Sequence, residues 1–315
     1  MKVFALAPKE NWICDRFVSE WHLAYPESIA KTPEDADIVW LLADWCWNRV
    51  NLQTLSSKIV VATIHHLVPD KFNQASYDEF MFRDKFVDFY HVPCLKTREQ
   101  VKSLSHKPVV SIPFWVNNNL WNEDTPTINR EDLGISNDVF LIGSFQRDTE
   151  GHDLKSPKLE KGPDLFCDAV EEIANSSKKK VEVLLAGWRR QYVISRLEAA
   201  NIQYHYRELP EFDEIRDLYK MLDLYIVAAR YEGGPQAIVE AATMQVPIVS
   251  TDVGVASEIL SSESIFEPGS VTHAIPNTTY AKKAITQFEL PQGINKFYNL
   301  FDEYMNHHTL NNKKI

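Results

Sequence analysis

Glycine is scarce in this sequence and is absent from its first 133 residues. All ten glycines lie at or after Gly134, whereas seven of the eight tryptophans lie at or before Trp121. The two parts of the chain therefore differ in composition, and 315 residues exceed the usual size of one domain. We predict two domains, 1–116 and 117–315, with linker residues at 117–119 and 122–126.

Long apolar runs, paired cysteines and excess positive charge are also missing. No window approaches the roughly 20 apolar residues of a membrane-spanning helix, and the short apolar start does not resemble a secretory signal. The four cysteines show no pair or zinc-type spacing, so we expect reduced thiols in a cytoplasmic protein. A net charge of -11 argues against a nucleic-acid partner and against general attraction to anionic membranes, although local peripheral contact stays open.

Several catalytic motifs are absent as well. The sequence contains no GxxxxGK(S/T), HExxH, GxSxG or GxGxxG pattern, which disfavours P-loop hydrolysis, zincin chemistry, serine-esterase chemistry and common NAD binding. Asp35 and Asp37 resemble a metal-binding pair, but they precede a predicted strand instead of ending one. We interpret them as part of a turn.

Short apolar runs alternate with longer amphipathic stretches in both halves, which predicts strands separated by helices. Such an alternation forms parallel sheets covered on both faces, so we predict an α/β fold with one sheet per half. The predicted strands are 3–7, 38–42, 59–64, 89–92, 109–112, 140–143, 181–186, 224–228 and 248–250. Near the end of the chain, apolar residues three or four positions apart predict an amphipathic helix that packs back on the body.

The passage 223–242 carries the most chemistry. A buried strand is predicted to end before Glu232, Gly233 and Gly234 form a turn, and Pro235 opens a helix where its missing N–H has no effect. The bare first turn of this helix suits a phosphate group. Glu232 and Glu240 could both face the carboxyl edge of the sheet and accept hydrogen bonds from sugar or ribose hydroxyls. The alternative is a turn glutamate and a solvated helix glutamate.

The spacing Glu-x7-Glu with Gly-Gly-Pro inside, continued by residues 247–254 and Glu258, resembles glycosyltransferase family 4. The resemblance implies the GT-B fold: two Rossmann-like domains facing a cleft, with the C-terminal helix packing back on the N-terminal domain. It also implies transfer of a sugar from a nucleoside diphosphate sugar, with retention of configuration and without a metal or other cofactor. In this pattern Glu240 would hold the ribose, while Glu232 and the Gly-Gly-Pro turn would meet the donor sugar.

Two patches in the second half extend the resemblance. Residues 141–147 and Lys161 are similar to the family's strand-end Gly-Arg and later Lys-Gly, whose basic side chains hold the donor diphosphate. Gly143 matches, Ser144 stands where the family usually has Arg, and Arg147 follows three residues later, so we transfer the role to Arg147. Lys161 precedes a predicted helix N-terminus, which favours the same role. Its alternative is an ordinary exposed lysine.

The first half adds weaker matches. Residues 110–117 are similar to the family's Ile-Pro-Asn-Gly-Val-Asp linker, whereas residues 9–12 stand where the family has a Gly-rich loop. His65 ends a predicted strand, where the family presents a His towards the donor sugar; a structural His is the alternative. We predict acceptor contacts from nearby residues: His66, Asp44, Trp45 and Trp47. The alternative for the tryptophans is the hydrophobic core.

These patterns together predict a cytoplasmic retaining hexosyltransferase. The donor is a nucleoside diphosphate sugar bound mainly by the second domain, and the acceptor is a glycan, a lipid-linked sugar or a small molecule. The predicted catalytic residues are Glu232, Lys161, Arg147 and His65. Two alternatives stay open: a nucleotide-sugar epimerase or hydrolase on the same fold, and a non-catalytic protein that binds nucleotide sugars or glycans.

Overall fold

The computed structural model describes residues 1–10, 13–122 and 126–312, with side chains up to His307. The chain forms two compact units. The first unit combines Met1–Trp115 with Leu290–Ile315, and the second unit is Val116–Glu289. The C-terminal helix lies in the first unit and packs there as the family resemblance implied, although the predicted boundaries grouped it with 117–315. Residues 11–12 and residues 123–125 of the predicted linker lie outside the described residues.

The first unit contains a five-stranded parallel sheet whose strands follow one another in chain order. They are β1 (Val3–Ala5), β2 (Ile38–Leu41), β3 (Ile59–Thr63), β4 (Phe89–Val92) and β5 (Val109–Ser111). Val3 pairs with Ile38 of β2 and also, on its other side, with Ile29. The chain thus leaves β1 in one direction and returns past it to β2. Open α/β sheets bind ligands at the carboxyl ends of strands where the direction changes in this way.

Helices cover both faces of this sheet. One face packs against α1 (Ile13–Ala24) and the C-terminal helix Gln292–Asn312. The other packs against α2 (Leu52–Ser57), α3 (Gln74–Asp84) and α4 (Leu95–Lys102). Strand β2 shows the reason, because its alternate side chains enter the two different clusters.

The second unit contains another five-stranded parallel sheet, in the order β10-β9-β6-β11-β12. Its strands are β6 (Phe140–Ser144), β9 (Val181–Ala186), β10 (Gln203–Arg207), β11 (Leu224–Val227) and β12 (Ile248–Ser250); a short hairpin, β7 (Thr149–Glu150) and β8 (Ser156–Pro157), follows β6. The helices are α5 (Pro163–Ser176), α6 (Gln191–Ala199), α7 (Phe212–Lys220), α8 (Gln236–Thr243), α9 (Ala256–Ile259) and α10 (Thr278–Ile285). The change of direction falls between β6 and β11.

The predicted α/β class with parallel sheets is confirmed, and each predicted strand corresponds to a strand of the structure. Among the described residues, no helix combines the length and apolar character needed to cross a bilayer. The fold thus creates two carboxyl edges, one in each unit, at which loops from neighbouring strands bring side chains together.

Candidate functional site

The centre of the candidate site is an ion pair between Lys161 and Glu232. Lys161 ends a short 3-10 helix, Leu159–Lys161, between the hairpin that follows β6 and α5, and Glu232 lies in the loop after β11. The Lys161 Nζ donates to Glu232 Oε1 although the two residues are 71 positions apart in sequence. Each side chain is only 13% exposed. The structure therefore brings together two predicted site residues, and neither has the fully exposed character of its alternative.

The two loops that carry this pair are fastened to each other. The backbone N–H groups of Arg230 and Tyr231 donate to the Glu160 carbonyl at 2.9 and 3.1 Å. The Arg230 guanidinium binds both carboxylate oxygens of Asp164, at 2.7 and 2.6 Å. A bidentate pair of this kind fixes orientation as well as distance. Lys161 and Glu232 are consequently held by the loops around them.

Gly162 explains how closely these loops approach. Its φ is +61°, and a Cβ atom added there would lie 1.7 Å from the Ala228 carbonyl oxygen at the end of β11. Only glycine tolerates both conditions. Gly254, with φ of +52°, plays the same part on the other side, where an added Cβ would lie 2.2 Å from the Gly233 carbonyl oxygen. The turn at 233–235 is therefore packed between neighbouring loops.

Glu240 lies in α8, behind this turn, and is buried. The Tyr219 hydroxyl donates to Glu240 Oε2 at 3.3 Å. Burial, the neighbouring Tyr225 and Glu240 itself raise the pKa of Tyr219 well above its ordinary value, so the phenol keeps its proton. Glu240 is thus a partnered, buried carboxylate and not a solvated helix glutamate. Pro235 precedes the helix, which begins at Gln236.

The residues predicted at the end of β6 to hold the diphosphate make their contacts away from the Lys161–Glu232 pair, elsewhere in the second unit. Gly143 packs closely against Leu222, since an added Cβ would lie 2.3 Å from a Leu222 methyl carbon. The Ser144 hydroxyl is buried and accepts a hydrogen bond from Arg190 at 3.1 Å. The Arg147 guanidinium lies 5.4 Å from the centre of the Trp188 ring. Arg147 is therefore grouped with the loop after β9.

Sequence reasoning did not recognise the structural importance of Arg190. This side chain is 1% exposed, forms an ion pair with Asp148 and donates to the carbonyls of Ser144 and Ala186. It ties the ends of β6 and β9 to the hairpin. A doublet of arginines that follows β9 after two intervening residues was the available signal, and only the structure distinguishes the buried Arg190 from the half-buried Arg189.

In the first unit, His65 lies at the carboxyl edge of β3. Its Nε2 lies 2.9 Å from the Leu42 carbonyl oxygen and 3.7 Å from Cys14 Sγ. Its ring stacks on Phe114 and lies 5.7 Å from the ring of Trp45, which is half-exposed. Burial raises the pKa of Cys14 to about 12, so this contact is with a neutral thiol. Cys14 was not predicted, because an isolated cysteine carries no spacing signal.

Two of the predicted acceptor residues, Asp44 and Trp47, have partners of their own. Asp44 forms an ion pair with Arg83 at 2.9 Å. The Trp47 Nε1 donates to Glu79 at 3.0 Å, and its ring lies 5.6 Å from Phe82. The structure therefore brings Trp45 to His65 but turns Trp47 towards α3. His66 follows His65 and is half-buried.

Comparison with known proteins identifies the class to which this arrangement corresponds. Residues 155–296, a little under half of the chain, match the family model for glycosyl transferases group 1. This segment includes Lys161, Glu232 and Glu240. No curated protein sequence matches the chain significantly.

Solved structures resemble the chain over nearly its whole length. HepE of Anabaena, crystallised with UDP and glucose, has a TM-score of 0.73 at 11% identity, over 96% of this chain and 99% of HepE. Sucrose-phosphate synthase of Thermosynechococcus elongatus has a TM-score of 0.69 at 14% identity, over 96% and 81%. A glycosyltransferase of Rickettsia africae has 0.60 at 14%, over 95% and 83%. The fold is that of the GT-B glycosyltransferases, with a group 1 segment at 155–296.

Proposed function

We propose that this protein is a retaining glycosyltransferase of the family 4 type, which moves a hexose from a nucleoside diphosphate sugar to an acceptor hydroxyl without a metal ion. The observation that carries the proposal is the Lys161–Glu232 pair between the ends of β6 and β11. A cation and a carboxylate beside a glycine turn and a helix N-terminus suit a ligand with both phosphate and hydroxyl groups. The match of 155–296 to the group 1 model supports this proposal.

In the proposed donor complex, Lys161 exchanges Glu232 for the diphosphate. The ammonium group then stabilises the negative charge that develops on the departing diphosphate, together with the first-turn amides of α8. Glu232, released from Lys161, accepts hydrogen bonds from hydroxyls of the donor sugar. Glu240 accepts from the ribose hydroxyls at the other end of the donor.

For the reaction itself, we propose attack on the face of the sugar from which the diphosphate leaves. The bond from the acceptor oxygen to the anomeric carbon forms as the bond to the diphosphate oxygen breaks. A diphosphate oxygen takes the proton of the acceptor hydroxyl. A reaction of this kind retains the anomeric configuration and requires neither a carboxylate nucleophile nor a bound metal.

For the acceptor, we propose the first unit, where Trp45 and His66 lie beside His65, whose predicted contact is the donor sugar. Asp44 and Trp47 contribute less, because Arg83 and Glu79 hold them. A glycan, a lipid-linked sugar and a small molecule all satisfy this arrangement. That the two domains face a common cleft stays a prediction. The four buried free thiols support the proposed cytoplasmic location.

The proposal is tested first with UDP-glucose, because HepE was crystallised with UDP and glucose and also with UDP-glucose. UDP-, GDP-, ADP- and dTDP-glucose are compared by thermal shift, since a ligand of the native state raises its apparent stability. The donor that binds is then incubated with an acceptor panel, with and without EDTA. NMR of the product gives the anomeric configuration.

Lys161→Ala provides the decisive variant, and Lys178→Ala is its exposed control. We expect Lys161→Ala to lower turnover at saturating donor by about 100-fold, the usual effect of losing one group that stabilises developing charge. Lys178→Ala should not change turnover. Undiminished turnover in folded Lys161→Ala would remove Lys161 from the mechanism. Free sugar without acceptor would indicate a hydrolase, and donor binding without turnover would indicate a binding protein.

A further inference from the structure

Three side chains at the carboxyl edge of the second sheet form a cluster that does not include the Lys161–Glu232 pair. Arg147, Trp188 and Arg189 bring two guanidinium groups around one indole. The guanidinium carbons lie 5.4 and 4.6 Å from the centre of the Trp188 ring. Trp188 is 50% exposed. We call these three residues the Arg–Trp–Arg cluster.

The positive charge of this cluster is not neutralised within the part of the chain that the structure describes. Arg147 Nε donates to the Thr149 carbonyl at 3.1 Å, and Arg189 donates to the Gly151 carbonyl at 3.1 Å. Both hydrogen-bond acceptors are backbone carbonyls, and neither guanidinium forms an ion pair with any described residue. The adjacent Arg190, by contrast, is paired with Asp148. Because both groups surround one ring, they lie within roughly 10 Å of each other and repel, and a bound anion would relieve the repulsion.

The backbone around the cluster is held in an unusual conformation. Arg189 has φ of +58°, in the left-handed region that non-glycine residues rarely adopt. Its carbonyl accepts hydrogen bonds from the N–H groups of Asp148 and Thr149, at 3.2 and 3.1 Å. The Thr149 hydroxyl in turn accepts from the Tyr192 N–H at 2.9 Å. Strained residues held by surrounding structure in this way occur at ligand sites.

We propose that the Arg–Trp–Arg cluster is a subsite of the second unit for an anionic sugar, a pyranose with a carboxylate or phosphate substituent. Planar guanidinium groups bind both kinds of anion, and the exposed part of the indole offers an apolar surface to the sugar ring. The inference rests on the proposed function, which assigns the donor diphosphate to Lys161. The charge of the two arginines is additional, so it selects a second anion. The geometry also assigns Arg147 to this subsite instead of the diphosphate.

The test uses the full chain and isothermal titration with glucuronic acid, glucose 6-phosphate and neutral glucose, each with and without saturating UDP. We expect at least one anionic sugar to bind at least tenfold more tightly than glucose, with UDP present. Preference for glucuronic acid identifies a carboxylate ligand, and preference for glucose 6-phosphate identifies a phosphate ligand. Equal binding of all three sugars, or no binding, overturns the subsite.

Arg189→Gln is the principal variant and Arg207→Gln is its control, because Arg207 is an exposed arginine of the same unit that pairs with Glu214. We expect Arg189→Gln to weaken the anionic sugar at least tenfold while the affinity for UDP stays unchanged. If UDP displaces the anionic sugar and Arg189→Gln weakens UDP equally, the cluster belongs to the donor diphosphate and the inference is wrong. Binding of the anionic sugar by a protein that binds no nucleotide would retain the subsite and reject the proposed function.

Discussion

At the residue scale, the ligand-binding role and the structural role of the Glu240 carboxylate can be separated by experiment. Its structural partner is Tyr219, whose hydroxyl donates to it. We expect Glu240→Ala to weaken binding of the nucleoside diphosphate about tenfold, which corresponds to the loss of one interaction of about 1.4 kcal/mol. Tyr219→Phe removes the same internal hydrogen bond but keeps the carboxylate, so it should change the dissociation constant less than threefold. Equal losses in the two variants by calorimetry would show that Glu240 has only a structural part.

His91 provides a prediction about pH. It is fully buried: its Nε2–H donates to the Ile112 carbonyl at 2.8 Å, and its Nδ1 lies 3.0 Å from the Thr63 hydroxyl. Burial lowers the pKa of His91 from 6.5 to about 3. His91 therefore becomes protonated below about pH 6.5 in the unfolded chain but only below about pH 3 in the folded chain. The free energy of unfolding consequently decreases as the pH falls through this range.

The size of this effect follows from the two pKa values. Between pH 7.5 and 5.5, protonation of His91 in the unfolded chain alone lowers the free energy of unfolding by about 1.4 kcal/mol. Urea denaturation of the wild type and His91→Gln at both pH values measures it. The variant should lose about 1.4 kcal/mol less than the wild type over this interval. The same loss in both proteins would mean that other groups control the acid sensitivity.

The residues of the candidate site were predictable to different degrees. Glu232, Lys161 and Glu240 were identified because each lies in a short pattern of glycine, proline and charge that a sequence displays directly. The partners were not, since Tyr219 and Arg190 reach the site from other elements. The position of the Arg147 side chain also depends on its contact with Trp188, which lies 41 positions later in the sequence, and no local pattern connects the two residues.

At the element scale, the close approach of the loops around Lys161 depends on Gly162. Gly162→Ala would place a Cβ 1.7 Å from the Ala228 carbonyl oxygen, in a residue with φ of +61°. Gly134 is a matched control, because its φ is +68° and nothing lies within 4 Å of an added Cβ. We expect Gly134→Ala to lower the free energy of unfolding by about 1 kcal/mol, from backbone strain alone.

Gly162→Ala should lower the free energy of unfolding by about 3 kcal/mol or more, because the clash adds to the same strain. It should also lower turnover, since the loops that hold Lys161 and Glu232 must separate. Chemical denaturation and steady-state kinetics of both variants measure these effects. Similar stability of the two variants would show that the loops adjust without loss.

Elements with strong apolar runs were predicted, and polar ones were missed. Strand β10 reads Gln-Tyr-His-Tyr-Arg and lies at the edge of its sheet, so it lacks the continuous apolar run of a central strand. The hairpin of β7 and β8 has two residues in each strand, too few for any periodicity. The pairing of Ile29 with Val3 was likewise not predictable, because an isolated bridge of one residue produces no periodic pattern in the sequence.

At the scale of the whole molecule, the C-terminal helix completes the first unit after the chain has built the second. Phe297 is fully buried, and its ring lies 5.1 Å from Trp115 and 4.8 Å from His91. We expect Phe297→Ala to lower the free energy of unfolding of the first unit by about 3–5 kcal/mol, the usual effect of removing a buried aromatic ring. The exposed Asn299→Ala should change it by less than 0.5 kcal/mol.

The same variant tests whether the second unit holds the donor by itself. If it does, Phe297→Ala should leave the affinity for the nucleoside diphosphate unchanged at a temperature where the first unit of the variant is unfolded and its second unit is still folded. Calorimetric titration of the nucleotide gives this affinity, and denaturation followed by tryptophan fluorescence reports mainly on the tryptophan-rich first unit. Tenfold weaker binding of the nucleotide would indicate that donor binding requires the first unit.

The α/β class, the strands with strong apolar character and the Glu-Gly-Gly-Pro turn were predictable from the sequence, because periodicity and residue type act over short stretches of chain. The Lys161–Glu232 pair and the grouping of Arg147 with Trp188 became known only from the folded structure. These depend on which strands become neighbours. Strand order follows from the packing of whole helices and sheets, and local periodicity does not contain it.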